Sequence, residues 1–369
     1  MIELIELTKE YPGSSQPAVD RLNLTIFKGE TIALLGPSGC GKTSVLSMIV
    51  GLEKPTAGDI QIDGQSIVKV PVEKRGIGLV FQDYAIFTSM TVRGNLAFGL
   101  TVRKTPKSEI ASKVNDTASF LGLTPILDVK ASRLSGSELQ RVALGRTLVT
   151  RPSILLLDEP LSNLEPEARL ATRQELRRLR QELGLTIIYV THDQVEALSL
   201  ADRLAIMSFG RILQVEKTSV ILEKPKLVQV AQFLGSPPMN IFQGFFHQDN
   251  GYLAFRQGAV DLRLPFKSLS PKVELGSARF YHLGLRPEDL DFTEESEPFF
   301  RGQVSGLENR GFDSVVSLAN GNLEMKALDP QNVFTWGETV AVKAKAESFF
   351  LFDKSGRLME GQLFEANHD

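Results

Sequence analysis

The stretch Gly36-Pro-Ser-Gly-Cys-Gly-Lys-Thr43 decides the fold of the first part of the chain. It fits the pattern G-x-x-x-x-G-K-[ST], in which backbone N–H groups enclose phosphate oxygens and the lysine reaches the outer phosphates. The apolar run Thr31–Leu35 precedes it, and the helical pattern Lys42–Val50 follows it. Because the pattern acts as a phosphate site only between a strand and a helix, this context predicts such a site and argues against a chance glycine-rich turn.

The residues of this loop are predicted to bind the nucleotide mainly through their backbone, and the helix N-terminus behind them favours an anion. Lys42 is expected to contact the β- and γ-phosphates, and the Thr43 hydroxyl is expected to ligate Mg²⁺. Cys40 is interpreted as a backbone contributor and not as a reactive thiol. The predicted set is Gly36, Pro37, Ser38, Gly39, Cys40, Gly41, Lys42, Thr43 and Ser44.

A second motif, Ile154-Leu-Leu-Leu-Asp158-Glu159-Pro160, places two acids at the end of an apolar run. Ligands of open α/β sheets bind at the carboxyl ends of the strands. Asp158 is therefore predicted to hold Mg²⁺, and Glu159 to orient or deprotonate the attacking water. The alternative is a solvated acidic turn, which is common where an Asp-Glu pair stands alone.

Strand-like and helix-like segments alternate over the first 235 residues, which predicts a mostly parallel sheet covered by helices. Thr186–Val190 reads as another buried strand, and a helix is predicted to begin near Pro166, a residue suited to a first helical turn. Residues from about 85 to 150 are predicted to form a mainly helical sub-domain inserted into the sheet. The apolar face of the helix from Pro166 is predicted to consist of Leu176, Leu179 and Leu183.

Short alternating strands dominate after the turn Gly235-Ser-Pro-Pro238, so the domain boundary is predicted at 235/236. Asn250-Gly251 and Asn320-Gly321 each separate two strand-like runs, which is typical of two-residue hairpins. Residues 236–369 are therefore predicted to form a small all-β barrel or sandwich of the OB-like kind.

Composition narrows the possible functions. The 369 residues carry a formal charge of -3, which gives nucleic acid no support as a principal partner. A single cysteine excludes an intrachain disulfide. The acidic start Met1–Leu7 does not resemble a signal peptide, and no apolar run approaches the roughly 20 residues that cross a bilayer. If the protein works at a membrane, we expect other chains to span it.

The segment Leu134-Ser-Gly-Ser-Glu-Leu-Gln-Arg-Val-Ala-Leu-Gly-Arg146 resembles the signature of ABC transporter ATP-binding subunits, and the resemblance extends over the whole chain. It implies a P-loop NTPase fold of the ABC ATPase type, an ATPase activity, and ATP and Mg²⁺ as cofactors. In this family two ATP-binding domains close face to face, and each ATP lies between one phosphate loop and the other domain's signature. The signature residues expected to contact ATP are Ser135, Gly136, Ser137 and Glu138.

The resemblance assigns three further residues. Tyr11 matches the aromatic residue that stacks on adenine, although a lone tyrosine near a strand end is more often plain packing. Gln82 matches the glutamine that contacts Mg²⁺ and the attacking water. His192, which would otherwise read as structural, matches the histidine that contacts the γ-phosphate. The expected catalytic set is Lys42, Gln82, Glu159 and His192, and the expected metal ligands are Thr43, Gln82 and Asp158.

The signature also contains a capping-box pattern, Ser135-x-x-Glu138, that opens an apolar helical run. This pattern aims free N–H groups of a helix N-terminus at the partner's γ-phosphate. The family usually has Gly-Gln at Ser137-Glu138 and aspartate at Glu165. We expect the added negative charge and bulk to weaken closure without abolishing hydrolysis.

The C-terminal part resembles the TOBE-type regulatory extension of importer ATPases for sugars, polyamines, iron and oxyanions. Gly284-Leu-Arg286-Pro-Glu288-Asp289 matches a motif of that extension, while the alternative for Arg286 and Glu288 is a surface ion pair. Phe233–Asn240 is closest to the carbohydrate branch, of the maltose and glycerol-3-phosphate type. The resemblance thus implies an ATPase subunit that powers import of a sugar or sugar derivative.

The same resemblance implies partners and location. Segment Tyr84–Met90 is expected to receive integral-membrane permease subunits at the cytoplasmic face of the cell membrane, where this chain is peripheral. A second ATP-binding subunit, expected to be a second copy with a paralogue as the alternative, completes the dimer, and a solute-binding protein acts indirectly. The first alternative is an importer ATPase for a polyamine, iron or an oxyanion. A soluble ABC ATPase that works on DNA or ribosomes is a further alternative, but coiled-coil inserts and tandem cassettes are not evident. A small-molecule kinase would lack Leu134–Glu138.

Overall fold

The computed structural model describes residues 1–162, 164–249, 252–270, 272–277, 279–361 and 364–366. It divides into two compact units, Met1–Ile221 and Leu222–Asp369. None of the helices in these ranges is both long and apolar enough to cross a membrane.

The first unit combines strands and helices. Its described strands are β1 (Ile2–Lys9), β2 (Val19–Ile26), β3 (Thr31–Leu35), β4 (Ala57–Ile62), β5 (Gln65–Ser66), β6 (Ile77–Val80), β7 (Ile154–Asp158), β8 (Thr186–Thr191), β9 (Arg203–Ser208) and β10 (Arg211–Lys217). Its described helices are α1 (Lys42–Val50), α2 (Val92–Val102), α3 (Lys107–Phe120), α4 (Gly136–Leu148), α5 (Pro166–Leu183), α6 (Gln194–Leu200) and α7 (Thr218–Ile221).

The central sheet of this unit has the strand order β10-β9-β3-β8-β7-β6, and all its neighbours are parallel except β10 and β9. Strands β3 and β8 are buried along their whole length, as expected where helices cover both faces. A second, antiparallel sheet has the order β2-β1-β4-β5. The predicted α/β fold is confirmed, and the predicted spans of β3 and α1 match the structure.

The predicted helical sub-domain is confirmed, since α2, α3 and α4 fill most of residues 85–150. Gly145 lets α4 approach its neighbours closely, because a Cβ there would lie 2.5 Å from Leu96 of α2 and 3.1 Å from Leu121. Helix α5 begins at Pro166 as predicted. Its predicted apolar face is only partly correct: Leu176 and Leu179 are buried, whereas Leu183 in the last turn is 48% exposed.

The second unit is a β structure with one short helix, α8 (Val228–Phe233), among its described residues. Its described strands are β11 (Asn240–Asp249), β12 (Tyr252–Gln257), β13 (Val260–Arg263), β14 (Phe266–Leu269), β15 (Tyr281–Leu285), β16 (Leu290–Thr293), β17 (Phe300–Asn309), β18 (Ser314–Asn320), β19 (Leu323–Asp329), β20 (Thr339–Ala344), β21 (Phe349–Phe352) and β22 (Phe364–Ala366). They form sheets of order β13-β12-β11-β15-β21, β14-β22 and β16-β20-β17-β18-β19. One aromatic-rich core lies among them, which confirms the predicted all-β domain.

Both predicted hairpins can be compared with the strand pairing. In the second, Asn320 pairs with Leu323, so the two-residue turn is Gly321-Asn322 and lies one residue later than predicted. Gly321 has a φ of 58°, a left-handed conformation suited to this turn. In the first, Asp249 pairs with Tyr252, while Asn250-Gly251 itself lies outside the described residues.

Contacts of a buried arginine explain why the second unit begins at Leu222, earlier than the predicted boundary at 235/236. The Arg286 guanidinium donates to the carbonyl oxygens of Leu222 at 2.6 Å and Leu234 at 3.5 Å. Helix α8, which lies between these two residues, packs on β11 and β15. Arg286 is only 8% exposed, so it is not a surface ion-pair residue. Burial holds the pKa of its guanidinium below the usual value.

Candidate nucleotide site

The register of the parallel strands brings the predicted site segments to one edge of the sheet. Leu35 of β3 pairs with Thr191 of β8. Asp158 of β7 pairs with Val190 of β8, and Val80 of β6 pairs with Leu157 of β7. Segments that follow these strands therefore begin at the same edge, where open α/β sheets bind ligands. These segments contain the loop 36–43, Gln82, Glu159 and His192.

The loop 36–43 fits its neighbours only because of two glycines. Gly41, which precedes α1, has a φ of 105°, and a Cβ there would collide with the carbonyl oxygen of Ala18. A Cβ on Gly36 would collide with the carbonyl oxygen of Met207 in β9. The outer loop residues Pro37–Gly39 and Thr43 are exposed. The loop backbone is therefore packed on its inner side and accessible on its outer side.

Lys42 folds back over this loop. Its Nζ donates to the carbonyl oxygens of Gly36 at 2.7 Å and Pro37 at 3.0 Å, and the residue is only 5% exposed. Cys40 Sγ lies 3.8 Å from the same ammonium and is also buried. The positive charge of Lys42 is therefore held within the loop by carbonyl dipoles, and the Cys40 thiol is packed inside.

Tyr11 lies close to the start of α1. Its hydroxyl is 3.2 Å from Ser44 Oγ, and its side chain is 38% exposed. The Lys9 ammonium lies 4.8 Å from the ring centroid, so it makes a cation–π contact with one face. The predicted adenine-stacking residue is thus adjacent to the phosphate loop and partly accessible.

The acidic motif at the end of β7 combines the half-buried Asp158 with the hydrogen-bonded Glu159. Glu159 Oε1 lies 3.0 Å from His192 Nδ1, which joins the ends of β7 and β8. Burial raises the pKa of Asp158, the neighbouring Glu159 charge raises it further, and Lys42 opposes both. The phosphate loop and the acidic motif therefore lie at the same edge of the sheet, and Lys42 acts electrostatically on Asp158.

Sequence reasoning missed a buried network beneath His192. The carboxylate of Glu196 accepts hydrogen bonds from Tyr189 at 2.9 Å and from Thr191 at 3.1 Å. The Thr191 hydroxyl accepts in turn from the backbone N–H of Asp193 at 3.0 Å. The network therefore fixes the backbone on both sides of His192. The only local sequence signal was the spacing Asp193-x-x-Glu196, in which Asp193 caps α6.

The signature segment opens α4 with the predicted capping box. The Ser135 backbone N–H donates to Glu138 Oε2 at 2.8 Å, and the Glu138 N–H donates to Ser135 Oγ at 3.4 Å. These bonds to Ser135 lower the pKa of Glu138, so its carboxylate stays charged at the helix N-terminus. Among the described residues, the hydrogen bonds of Ser135, Ser137 and Glu138 do not reach the phosphate loop.

The predicted docking segment Tyr84–Met90 has an unusual backbone and a mixed surface. Tyr84 and Ala85 both have left-handed backbones, with φ of 62° and 46°. Met90 is 36% exposed, and Phe87 packs against Phe98 of α2 with ring centroids 4.5 Å apart. Residue types alone did not reveal this backbone conformation.

Comparisons with known proteins agree with this geometry. A family model described as ABC transporter matches residues 19–162, and one described as TOBE domain matches residues 283–352. The chain is 39% identical over 368 residues to the trehalose/maltose import ATP-binding protein MalK of Thermococcus litoralis, with 96% of this chain and 98% of that protein covered. The chain belongs to the ABC transporter ATP-binding proteins.

Two further comparisons describe this ABC transporter ATP-binding protein. It is 40% identical over 362 residues to the sn-glycerol-3-phosphate import ATP-binding protein UgpC of Rhizobium meliloti, covering 96% of this chain and 99% of that protein. It is also similar to a solved dimer of the ATP-binding cassette MJ0796 bound to ADP and phosphate, with a TM-score of 0.54 and 30% identity over 59% of this chain and 99% of that chain.

The predicted resemblance to ABC transporter ATP-binding subunits is therefore confirmed. By their names, the MalK and UgpC relatives belong to the maltose and glycerol-3-phosphate branch that the sequence indicated. ABC transporter ATP-binding proteins are ATPases, so this chain is an ATPase.

Proposed function

We propose that the chain is the ATP-hydrolysing subunit of a multi-subunit importer for a sugar or sugar derivative. The observation that supports the chemistry best is the Glu159–His192 pair, 3.0 Å apart, at the sheet edge where Asp158 and the loop 36–43 also lie. The named functions of the MalK and UgpC relatives support import and the sugar class.

The residues of this site match the needs of in-line attack by water on a γ-phosphate. Glu159 orients or deprotonates the water, and its bond to His192 fixes its direction. Lys42 and the loop amides hold the phosphates and stabilise the charge that develops on them. Tyr11 stacks on the adenine with the ring face opposite Lys9.

Mg²⁺ fits the oxygen donors at this edge, namely the Thr43 hydroxyl, the Gln82 side chain and the Asp158 carboxylate. Burial and the Glu159 charge both disfavour ionised Asp158, so a bound cation would relieve an existing electrostatic cost. No three His, Cys, Asp or Glu side chains in the described ranges form a metal cluster, so the ion would share its coordination with nucleotide phosphates. When bound, it supplies charge neutralisation at the phosphates.

Closure with a second copy completes the site. The N-terminus of α4, with Ser135, Gly136 and Ser137, supplies N–H groups to the γ-phosphate held by the other copy. The dimeric MJ0796 cassette supports this arrangement by analogy. A swing from mostly open to mostly closed needs ATP to favour the closed dimer by about 5.5 kcal/mol.

Permease subunits dock at Tyr84–Met90, which places the chain peripherally at the cytoplasmic face of the membrane, and a solute-binding protein delivers the solute to the permease. The exposed Met90 and the neighbouring exposed Phe81 and Phe98 give this surface the apolar character of a docking site. Co-purification of the tagged chain with two hydrophobic chains tests this arrangement. Recovery of a soluble nucleic-acid or ribosome complex instead would favour the non-transport alternative.

The catalytic proposal predicts that Glu159→Gln lowers ATP turnover by at least about 100-fold while ATP binding is retained, because only proton transfer and water orientation are lost. Phosphate release and nucleotide binding are measured on the full chain. Glu167→Gln, at an exposed position in the first turn of α5, serves as the matched control and retains turnover. Turnover within threefold of wild type in Glu159→Gln would contradict the assignment.

The solute class is tested separately with the solute-binding protein encoded alongside the chain. Its melting temperature is measured with panels of sugars, sugar phosphates, polyamines, iron chelates and oxyanions. We expect stabilisation by a sugar or a sugar derivative. Stabilisation by a polyamine, iron or an oxyanion alone would replace the sugar proposal without affecting the ATPase chemistry.

A further inference from the structure

Lys9, the last residue of β1, lies behind the ring that is proposed to stack on adenine. Its ammonium is 4.8 Å from the centroid of the Tyr11 ring. The Lys9 side chain is only 12% exposed, whereas Tyr11 is 38% exposed. A largely buried cation therefore covers one face of the ring, and the other face is left for the base.

The ammonium of Lys9 is held in place from its other side. Its Nζ donates to Glu53 Oε2 at 2.6 Å and to the carbonyl oxygen of Lys54 at 3.0 Å. Glu53 is attached to the end of α1, because its backbone N–H donates to the carbonyl oxygen of Ser47 at 3.2 Å. Charge-assisted hydrogen bonds of this kind are short and strong. The segment that follows the phosphate-loop helix thus sets the position of the cation.

The backbone on both sides of Lys9 is bonded to the same segment. The N–H of Thr56 donates to the carbonyl oxygen of Thr8 at 2.8 Å, and the Thr56 hydroxyl accepts from the N–H of Glu10 at 3.0 Å. The chain that leads to Tyr11 is therefore anchored on the residues that follow α1. Lys9 acts on the ring from this fixed base.

Two contacts constrain the two side-chain torsion angles of Tyr11. The hydroxyl lies 3.2 Å from Ser44 Oγ in the first turn of α1, and one ring face contacts the Lys9 ammonium. An exposed neutral hydrogen bond contributes little, whereas a cation–π contact strengthens as the cation is desolvated. We therefore expect Lys9 to set the plane of the ring relative to the phosphate loop.

We propose that Lys9, held by Glu53, is a positioning residue for the nucleotide base. This inference rests on the proposed stacking of adenine on Tyr11. Lys9 acts through the ring and does not contact ATP. It keeps the free ring face in its binding orientation before ATP arrives, so that less side-chain freedom is lost on binding. Its effect on affinity is therefore smaller than that of removing the ring, and it vanishes when the ring is absent.

A double-mutant cycle on the full chain tests this, with the dissociation constant of Mg-ATP measured by titration calorimetry. All variants carry Glu159→Gln so that ATP remains intact. Lys9→Met keeps an unbranched side chain and removes the charge, and it is expected to raise the dissociation constant about two- to fourfold. In the Tyr11→Ala background the same substitution should change it by less than about 1.5-fold. Lys69→Met, at an exposed position between β5 and β6, is the matched control and retains affinity.

An equal loss in both backgrounds would overturn the inference, because Lys9 would then act on the charge of the triphosphate and not on the ring. Unchanged affinity in Lys9→Met would overturn it as well. If that variant does not fold, Glu53→Ala decides, since it removes the anchor of the ammonium at a partly exposed position. It is expected to weaken ATP binding only when Tyr11 is present.

The same cycle separates this inference from the function on which it rests. A Tyr11→Ala variant that binds Mg-ATP as tightly as the parent would refute stacking, and the inference with it. A clear loss in Tyr11→Ala together with no loss in Lys9→Met would refute the inference alone.

Discussion

Glu159 combines a strained backbone with the position proposed for the chemistry. Its φ is 44°, a left-handed conformation that costs a non-glycine residue about 1–3 kcal/mol. The surrounding structure holds it there: its N–H donates to Val190 at 2.9 Å, and its carbonyl oxygen accepts from the Ser162 hydroxyl at 2.9 Å. This conformation directs the side chain to His192. The strain is therefore located where a fixed carboxylate direction is useful.

Tyr11 should bind ATP through its ring and not through its hydroxyl. Base–aromatic stacking contributes about 1 kcal/mol or more, so Tyr11→Ala is expected to raise the dissociation constant for ATP at least about fivefold. Tyr11→Phe loses only an exposed hydrogen bond to Ser44 and should stay within about threefold of wild type. Equilibrium binding of a fluorescent ATP analogue measures both. Equal losses in the two variants would contradict stacking.

Glu138 should weaken ATP-dependent closure through its charge. Its carboxylate stays ionised at the N-terminus of α4, where the partner's polyphosphate is proposed to bind. Glu138→Gln retains the capping role and removes the charge, so apparent ATP affinity is expected to rise about two- to fivefold. ATP titrations of dimer formation and turnover measure this. Glu109→Gln, in the first turn of α3, is the control, and no gain in Glu138→Gln would refute the charge argument.

At the scale of elements, the sequence predicted best what is local along the chain. The strand, loop and helix around Gly36–Thr43 and the capping box of α4 depend on neighbouring residues, and both were predicted at the correct positions. The bond from Gln140 to Pro160 spans 20 residues, and that from Arg146 to Ala85 spans 61. Such pairs depend on how helices pack on the sheet. A single sequence does not specify that packing.

The contact between α6 and β8 should make stability depend on pH through Glu196. Burial raises the pKa of its carboxyl above the unfolded value of 4.5. The folded state therefore binds more protons between these two values, so stability falls as pH rises through that window. Glu196→Gln cannot ionise and keeps an acceptor for Tyr189 and Thr191. Above the window we expect it to be more stable than wild type by about 1 kcal/mol.

Urea unfolding at several pH values measures this difference. Glu73→Gln, at an exposed position, should leave the pH dependence of wild type unchanged. A Glu196→Gln variant with the same slope as wild type would show that this carboxyl does not control the effect.

At the scale of the whole molecule, the two units have separate hydrophobic cores. Residues such as Ile32, Val45 and Ile188 form one, and aromatic residues such as Phe242 and Phe255 form the other. The strand-rich composition after residue 235 indicated the second core. It did not indicate that 222–234 belongs with it, because the Arg286 bonds that attach this segment reach back 52 and 64 residues.

This division predicts that ligand and mutation act on different unfolding transitions. Mg-ATP should raise the melting temperature of the first unit only, since ligand binding stabilises the folded state that contains the site. Arg286→Met should lower the free energy of unfolding of the second unit only, by about 1–3 kcal/mol, because two buried carbonyl oxygens lose their donor. Calorimetry of the full chain with and without Mg-ATP measures both. A single transition shifted equally by both changes would contradict this.

The crowded inner side of the phosphate loop has a practical consequence for choosing inactive controls. At Gly36 and Gly41 an added methyl group meets the main chain of Met207 and Ala18, which belong to the protein's own interior. An alanine at either position would disturb folding before it affected chemistry. Loss of activity in such a variant would therefore report on folding and not on chemistry. An inactive control for transport studies is better made by substituting Glu159.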